Sequence, residues 1–428
     1  MDADVLAERA RDALVAAGAH HAQAYAVDTQ REELNAEWNE PSLLRSTFES
    51  RVVLIALVDD KKGAVSCNDT TEDGIQRAAA QAVQLAEGSR PDPANAIAPT
   101  QAEASFESGP SAPSLDGMHE RMVELLAHRA AHHPKTTLRS VVIDYTRRRR
   151  VLVNTNGVRL RATIGAYDFV ATFSARREAD TSSFNYTGVS RKDLDRPVAE
   201  LGSFDRLMGE AAQQLDPQKA PGKFTGDLVV TPDCLGSFLS PLTSYLSDDA
   251  LISGTSVFAD QLGQRIAHPS LTLRSLPRWD GLAVPCFFTR DGQLTEDCDV
   301  IAAGVLQRFL LSRYGALKTG HERAPTDGGS WVVEGGETPL DQLIGQVERG
   351  VLICRFSGGR PTPSGDFSGI AKNSFLIENG RIGPALSETM VSGNLIRLFE
   401  QVAGLSKERV DFGDALLPWV RLPGVTIS

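Results

Sequence analysis

TPLDQLIGQVERGVLICRFSGGRPTPSGDFSGIAKNSFLIENGRIGPALSETMVSGNLIRLFEQVAG, residues 338–404, combines helix caps, a glycine-rich turn and a hairpin signal. Thr338 ahead of Pro339 reads as a helix cap with proline in the first turn, and the helix is expected to run to about Arg349. Asn379-Gly380 is a strong two-residue hairpin signal, because both central positions of a type I′ turn need positive φ. Ser392 or Asn394 can cap a second helix, expected over about Gly393–Leu405, since a short polar side chain can accept from the first free amides. From Gly226 to the end the chain is strand-rich, punctuated by Gly and Pro, with few long helical periods.

Upstream of this block, DPQKAPGK (residues 216–223) reads as a connection, preceded by a polar helical stretch from Arg191 to Leu215. Alternating residues from Leu138 through Tyr186 predict antiparallel strands, with turn signals at Asn154–Gly157 and at Gly165. A helix is expected from Leu115 to about His133. Residues 88–112 are rich in Pro, Ala and Ser without a stable period, and read as the clearest linker. The N-terminal part predicts a helix over 2–17, short strands near 22–28, 32–38, 43–48 and 51–58, and a second helix with capping-box spacing at Thr70 and Asp73. The pattern is α+β: an N-terminal helix–meander–helix unit (1–87), the linker (88–112), a middle hairpin-rich region (113–220) and a strand-rich C-terminal domain (221–428).

The 428-residue chain is long enough for two or three domains and carries a net charge of −11. That balance argues against a nucleic-acid groove, which needs clustered Lys and Arg. The one basic run, Arg147–Arg150, lies in a strand pattern and reads as a strand or turn face. Five scattered cysteines with no CxxC pair suit a reducing compartment. The charged N-terminal stretch lacks an apolar signal core, so a soluble cytoplasmic protein is expected.

Self-contained catalytic motifs fail on inspection. GALKTGH (315–321) has Walker-like glycines, but His321 stands where the phosphate-binding Lys belongs. GTSVF (254–258) puts Phe258 where a nucleophile elbow around Ser256 needs glycine. His128 and His132 are four apart on the expected helix and can face one ion, yet Arg129 follows where HExxH has its general base. With His133 they read better as a helix flank near solvent. Cys234 and Cys354 fit buried, inert thiols better than nucleophiles.

Residues 338–404 resemble the C-terminal signature of the TldD/PmbA family of peptide-cleaving metalloproteases. The matching positions include Gly350, Ser357, Gly358, Gly359, Gly365, Asp366, Phe367, Ser368, Ile377, Glu378, Asn379, Gly380, Ile382, Ser392, Gly393 and Asn394. VLIALVDDKKGAVSCNDTTEDGIQRAAAQAVQLAE and VLVNTNGVRLRAT resemble the family's first and middle segments. The resemblance implies a mixed or barrel-like sheet in the last domain. It also implies that Ser357–Gly359, Gly365–Ser368, Glu378–Gly380, Gly393 and Asn394 form the region that contacts peptide. The catalytic branch of the family carries HExxxH on a helix early in that domain and a further Cys ligand near the glycine-rich turn. Here residues 228–264 contain no His and no Glu, and 364–374 contain no Cys. The chain is therefore most similar to the zinc-less PmbA (TldE) branch, with no catalytic residue and no metal ligand to carry over. The resemblance implies a zinc-bearing TldD-like partner in a heterodimer that cleaves short or unfolded peptides; a homodimer that binds peptides without cutting them is the alternative. The family's older link to DNA gyrase is read as indirect, with neither nucleic acid nor membrane as direct partner.

Overall fold

Helix α1 (Ala3–Ala16) buries Leu6, Ala10 and Leu14 along one side, and Asp2 caps it by accepting the Asp4 amide N–H. The computed structural model describes residues 2–428. The chain next forms β1 (His21–Glu37), β2 (Glu40–Val58), β3 (Lys61–Cys67) and α2 (Glu72–Gly88). The short strands expected over 22–58 are two long ones, joined by a turn at Trp38-Asn39 where φ is +52° and +72°. Continuous pairing of β1 with its neighbours on both sides carries these strands through the polar residues that break the local pattern. The cap of α2 is Thr71, not Thr70: its Oγ1 accepts from Gly74 N–H at 3.2 Å.

Then come β4 (Ala104–Ser108), α3 (Leu115–His132), β5 (Thr136–Asn154), β6 (Arg159–Arg177), β7 (Asp180–Thr181), β8 (Asn185–Arg191) and α4 (Phe204–Gln213). The order β3-β2-β1-β5-β6-β4, with β7 and β8 also on β6, makes an eight-stranded sheet that is antiparallel except at β4. Strands from both sides of residues 88–112 share it. That stretch is packed: Ala94, Ile97 and Ala98 are buried and β4 adds to the edge of β6. Gly165 is not a turn but the middle of β6, paired with Arg147. It answers a close approach, because a Cβ there would stand 1.9 Å from the Pro110 carbonyl oxygen. The expected helix over 191–215 shortens to α4; Arg191 closes β8 and the intervening residues hold only a single 3-10 turn at Val198–Glu200.

One face of this sheet takes two helix pairs. Alanines 22, 24 and 26 meet α1 and α2, while Ile143, Tyr145, Phe169 and Phe173 meet α3 and α4. Arg149, inside the basic run, reaches across this face to Asp2 and Asp4. Arg150 points the other way, over the ring of Phe288.

The remaining elements are β9 (Phe224–Val230), α5 (Pro232–Ser244), α6 (Asp248–Ile252), β10 (Leu273–Ser275), β11 (Cys298–Ala302), β12 (Val305–Leu306), α7 (Arg313–Thr319) and β13 (Trp331–Val333). They continue with α8 (Leu340–Gly345), β14 (Arg349–Ile353), β15 (Arg355–Gly358), β16 (Asp366–Lys372), β17 (Ser374–Glu378) and β18 (Arg381–Leu386). The chain closes with β19 (Thr389–Asn394), α9 (Leu395–Glu400), β20 (Gly404–Asp411) and β21 (Leu416–Ile427). These strands form a 13-stranded mixed sheet with parallel pairs at β9–β14 and β13–β21. β9 and β14 are covered on both faces: Leu228, Val230, Val351 and Ile353 enter one core, Val229 and Leu352 the other. Burial on both sides accounts for their unbroken apolar runs. The second of those cores also contains Phe169 and Leu207, so the two sheets are joined through it. The helix expected over 339–349 is the shorter α8, and Thr338 does not cap it; Thr338 bridges to Ser406 instead. No helix among the described residues is long and apolar enough to cross a membrane.

Candidate functional site

Most of the residues singled out in the C-terminal signature meet in one small unit, β15–β16–β19, with α5 packed beneath it. Phe356 folds its ring over Gly358 and Gly369, where a Cβ would stand 2.5 and 2.4 Å from the ring, so glycine at 358 is set by that contact. Phe367 meets Phe356 and, from α5, Phe238 edge-on, with both centroid distances 5.9 Å. The turn between β15 and β16 needs Gly365 at φ +92°. Thr362 Oγ1 accepts from Asp366 N–H at 3.0 Å, and Ser364 Oγ donates to Asp366 at 3.0 Å.

Asn394 closes the unit. Its amide donates to Ser364 O at 2.8 Å and to Asp366 Oδ1 at 2.9 Å, while its oxygen caps α9 by accepting from Arg397 N–H. These donors, Asn394 first and Ser364 next, hold the Asp366 carboxyl below the usual carboxylate range. Gly393 lies against Phe367, and a Cβ there would be 3.3 Å from the ring. Asp366, Phe367, Gly365, Gly393 and Asn394 thus build the turn and the cap. Ser357, Gly358, Gly359 and Ser368 are exposed on the same unit.

Glu378, Asn379 and Gly380 stand apart from that unit. They form the β17–β18 hairpin turn, with φ +49° at Asn379 and +73° at Gly380, and the turn is bonded to Val347 and Glu348 beside α8. β17 pairs with β14 and β18, not with the strands of the signature unit. A Cβ at Gly380 would stand 2.5 Å from the Gly345 carbonyl oxygen.

β15 has a strand partner on one side only among the described residues. Beside it, the Arg355 guanidinium lies 4.1 Å from the ring centroid of Phe184 and 5.9 Å from that of Tyr186. Both rings are half exposed. Arg355 Nη1 is buried without a hydrogen-bond partner among the described residues, and burial lowers the pKa of the group. Sequence alone did not single out this residue, because its two aromatic neighbours lie on β8 and the loop before it, more than 160 residues away.

Helix α5 occupies the place where the resemblance puts metal ligands in the catalytic branch. Its solvent face is Gly236, Ser237, Ser240 and Ser244. Cys234 is buried at its start, and burial, then the charge of Asp233, push its thiol pKa well up. Cys354 is likewise buried and raised, by burial and then by Glu210. Both are buried thiols with a raised pKa, which does not suit a nucleophile. Ser256 Oγ accepts from Phe258 N–H at 3.2 Å and holds a local turn. Hydroxyls and glycine do not make a zinc site, which calls for imidazole, thiolate or carboxylate donors. The residues around α5 do not fit the ion. Among the described residues the one convergent group of such donors is His128 on α3, His133 just after it and Asp205 on α4, outside residues 222–428.

The first turn of α5 is nonetheless firmly held. Asp233 accepts from Thr187 Oγ1, Ser203 Oγ and Arg206 Nη2, and Arg206 also pairs with Glu210 at 2.9 Å. Burial opposes the Arg206 charge, but Glu210 and Asp233 outweigh it and the net shift of its pKa is upward. A carboxylate in the first turn is also favoured by the helix dipole.

Comparison with known proteins bears on the family and the fold. Residues 222–428 match the PmbA/TldA metallopeptidase C-terminal domain, and residues 22–86 match PmbA/TldA metallopeptidase domain 1. Metalloprotease PmbA of Escherichia coli O157:H7 is 24% identical over 389 residues, covering 85% of this chain and 84% of that protein. A zinc metalloprotease TldD homolog of Saccharolobus solfataricus is 23% identical over 199 residues, 44% of each chain. The crystal structure of TldE from Thermococcus kodakarensis superposes with a TM-score of 0.81 at 19% identity, covering 99% of both chains.

Proposed function

The chain belongs to the PmbA/TldD metallopeptidase family, and from that premise we propose that it is a non-catalytic, TldE-like subunit that works with a zinc-bearing TldD-like partner on short or unfolded peptides. The observation that carries the proposal is the donor set at α5. The aromatic packing, the cap and the anchored first turn are all in place there, and what faces solvent is serine and glycine. A water molecule is activated for peptide hydrolysis when a metal lowers its pKa, and that chemistry would come from the partner.

This chain's share is to hold peptide. On the side of β15 where no strand pairs among the described residues, the exposed Ser357–Gly359 stretch offers backbone groups for an added strand, a mode that reads backbone and so tolerates many sequences. The Arg355 guanidinium places a positive charge beside this strand, and the half-exposed rings of Phe184 and Tyr186 flank it. Exposed Ser357, Gly358, Gly359 and Ser368 leave room for the strand to approach. The assembly surface is the edge of β2 over residues 40–51, beyond the reach of β3, where Leu43, Leu44 and Phe48 are exposed. Long exposed edges with apolar side chains favour pairing with another chain.

The test is peptide cleavage by the purified chain alone, by a zinc-bearing TldD-like subunit alone, and by the two mixed. Cleavage by the mixture only, abolished by a chelator, is the expected result. Turnover by the lone chain that survives chelation overturns the proposal.

A further inference from the structure

Helix α3 ends at His132, and His133 follows as its C-terminal cap residue, so the chain turns there with two imidazoles on one side. Helix α4 starts beside it and carries Asp205 in its first turn. One oxygen, Asp205 Oδ1, lies 2.6 Å from His128 Nε2 and 2.7 Å from His133 Nε2. The three ligand atoms lie within 4.8 Å of one another.

From this geometry we infer that His128, His133 and Asp205 form a binding site for a borderline transition-metal dication of the zinc or nickel class. Two imidazoles and one carboxylate are the donor set such ions prefer, whereas magnesium and calcium favour sites made of oxygen alone. As the structure stands, both Nε2 atoms approach a single acceptor, so each carries its proton and donates to Asp205. The ion takes the place of those two protons, which pass to Nδ1 or to solvent, and each Nε2 then offers its lone pair. Bonds of about 2.0–2.2 Å to zinc put the ligand atoms of a tetrahedral site roughly 3.3–3.6 Å apart, so Asp205 Oδ1 has to draw back from each Nε2 by somewhat under about 1 Å. Side-chain rotation supplies this, because Asp205 is exposed.

The protein holds the donors in place. His133 N–H donates to Arg129 O at 2.9 Å, and buried Thr136 Oγ1 donates to Met208 O at 2.9 Å, which fixes the end of α3 and the start of β5 against α4. Gly209, one turn on from Asp205, lies beneath the His133 ring, where a Cβ would be in ordinary contact at 3.4 Å from Cε1. His128 and Asp205 border a cleft of ≈ 500 Å³ that Glu124, Glu200 and apolar residues, among them Leu125 and Val198, also line. His132, although its ring centroid is only 4.5 Å from that of His128, is not one of the three. Bound here, the ion clips the end of α3 to the start of α4. Neither the residues nor the test depends on the peptidase reading.

The full chain, stripped with EDTA and dialysed at about pH 7.5, is titrated with zinc chloride and nickel chloride by calorimetry, with magnesium chloride as control, and its thermal unfolding is followed with and without each ion. A single equivalent of micromolar affinity, a raised Tm and no response to magnesium are expected. His128→Gln, His133→Gln and Asp205→Asn each weaken zinc binding by at least ~10-fold, while His132→Gln leaves it unchanged. Because the readout is the change on adding metal, a lower basal Tm in a variant does not confuse it. On the parent chain, crystals soaked in zinc place an anomalous peak between the three atoms. No zinc response at millimolar ion, binding that survives in His133→Gln and Asp205→Asn, or a magnesium response equal to that of zinc each overturns the assignment.

Discussion

Two neighbours on α4 reach different surroundings. Asp205 turns outward to the imidazoles at the end of α3; Arg206 turns inward to Asp233 at the start of α5 and to Glu210. The outer corner has metal-type donors and little enclosing scaffold. The inner corner has the scaffold, with a half-buried ion-pair cluster, an aromatic trio and a capped turn, but its helix shows solvent only hydroxyls and glycine. Scaffold and chemistry are therefore separable. The family fold is present in a chain with no His or Glu over 228–264, and metal-type donors converge where the family resemblance implies no site.

The sharpest way to break the inner corner is Arg206→Ala, which leaves Asp233 and Glu210 facing each other without their cation. Its side chain is 28% exposed and that of Asp233 only 9%, so the loss is set at the low end for a broken buried pair, about 3 kcal/mol. Urea unfolding measures it; a change within experimental error would mean that the cluster does not anchor α5. Asn394→Ala comes next. Loss of the α9 cap costs about 1 kcal/mol, and Asp366 loses its first donor as well.

Asn394→Ala also has a pH signature. The folded-state pKa of Asp366 is depressed, so its contribution is complete above the unfolded value and is lost as pH falls through the lower folded one. The gap between Asn394→Ala and the parent is expected to be full at neutral pH and to narrow as pH falls below about 4. A gap constant with pH would show that Asn394 does not hold this carboxylate. The smallest stability effect belongs to the outer corner: Asp205→Asn shifts unfolding by less than about 1 kcal/mol, because Asp205 is exposed. The same substitution is expected to remove the rise in Tm on adding zinc, so one variant separates a weak structural contact from a metal site.

Much of the local structure was legible in the sequence. Asn379-Gly380 forms the hairpin it predicted, Asn394 caps the helix that follows, and α1 and α3 lie where alanine, leucine and methionine recur with helical spacing. The failures share a cause. Gly165 looked like a turn because nothing nearby shows that residue 110 packs onto it. Thr338 looked like a cap because the bridge to Ser406 closes 68 residues later. Of the three histidines, the helical spacing of 128 and 132 drew attention, whereas the nitrogen that converges with His128 belongs to 133 through an aspartate on another helix.

Residue types alone determined the family and the absence of His and Glu from 228–264 and of Cys from 364–374, since a donor atom that is not in the sequence cannot be supplied by folding. They also determined the caps and turns, whose bonds span only a few residues. The tertiary structure alone decided that β15 pairs with a strand on one side only among the described residues, that its Arg355 meets Phe184 and Tyr186, and that Asp205 meets two imidazoles. Those contacts join residues 72 to 171 positions apart. They depend on how strands pair and helices pack, and short-range periodicity carries no record of that.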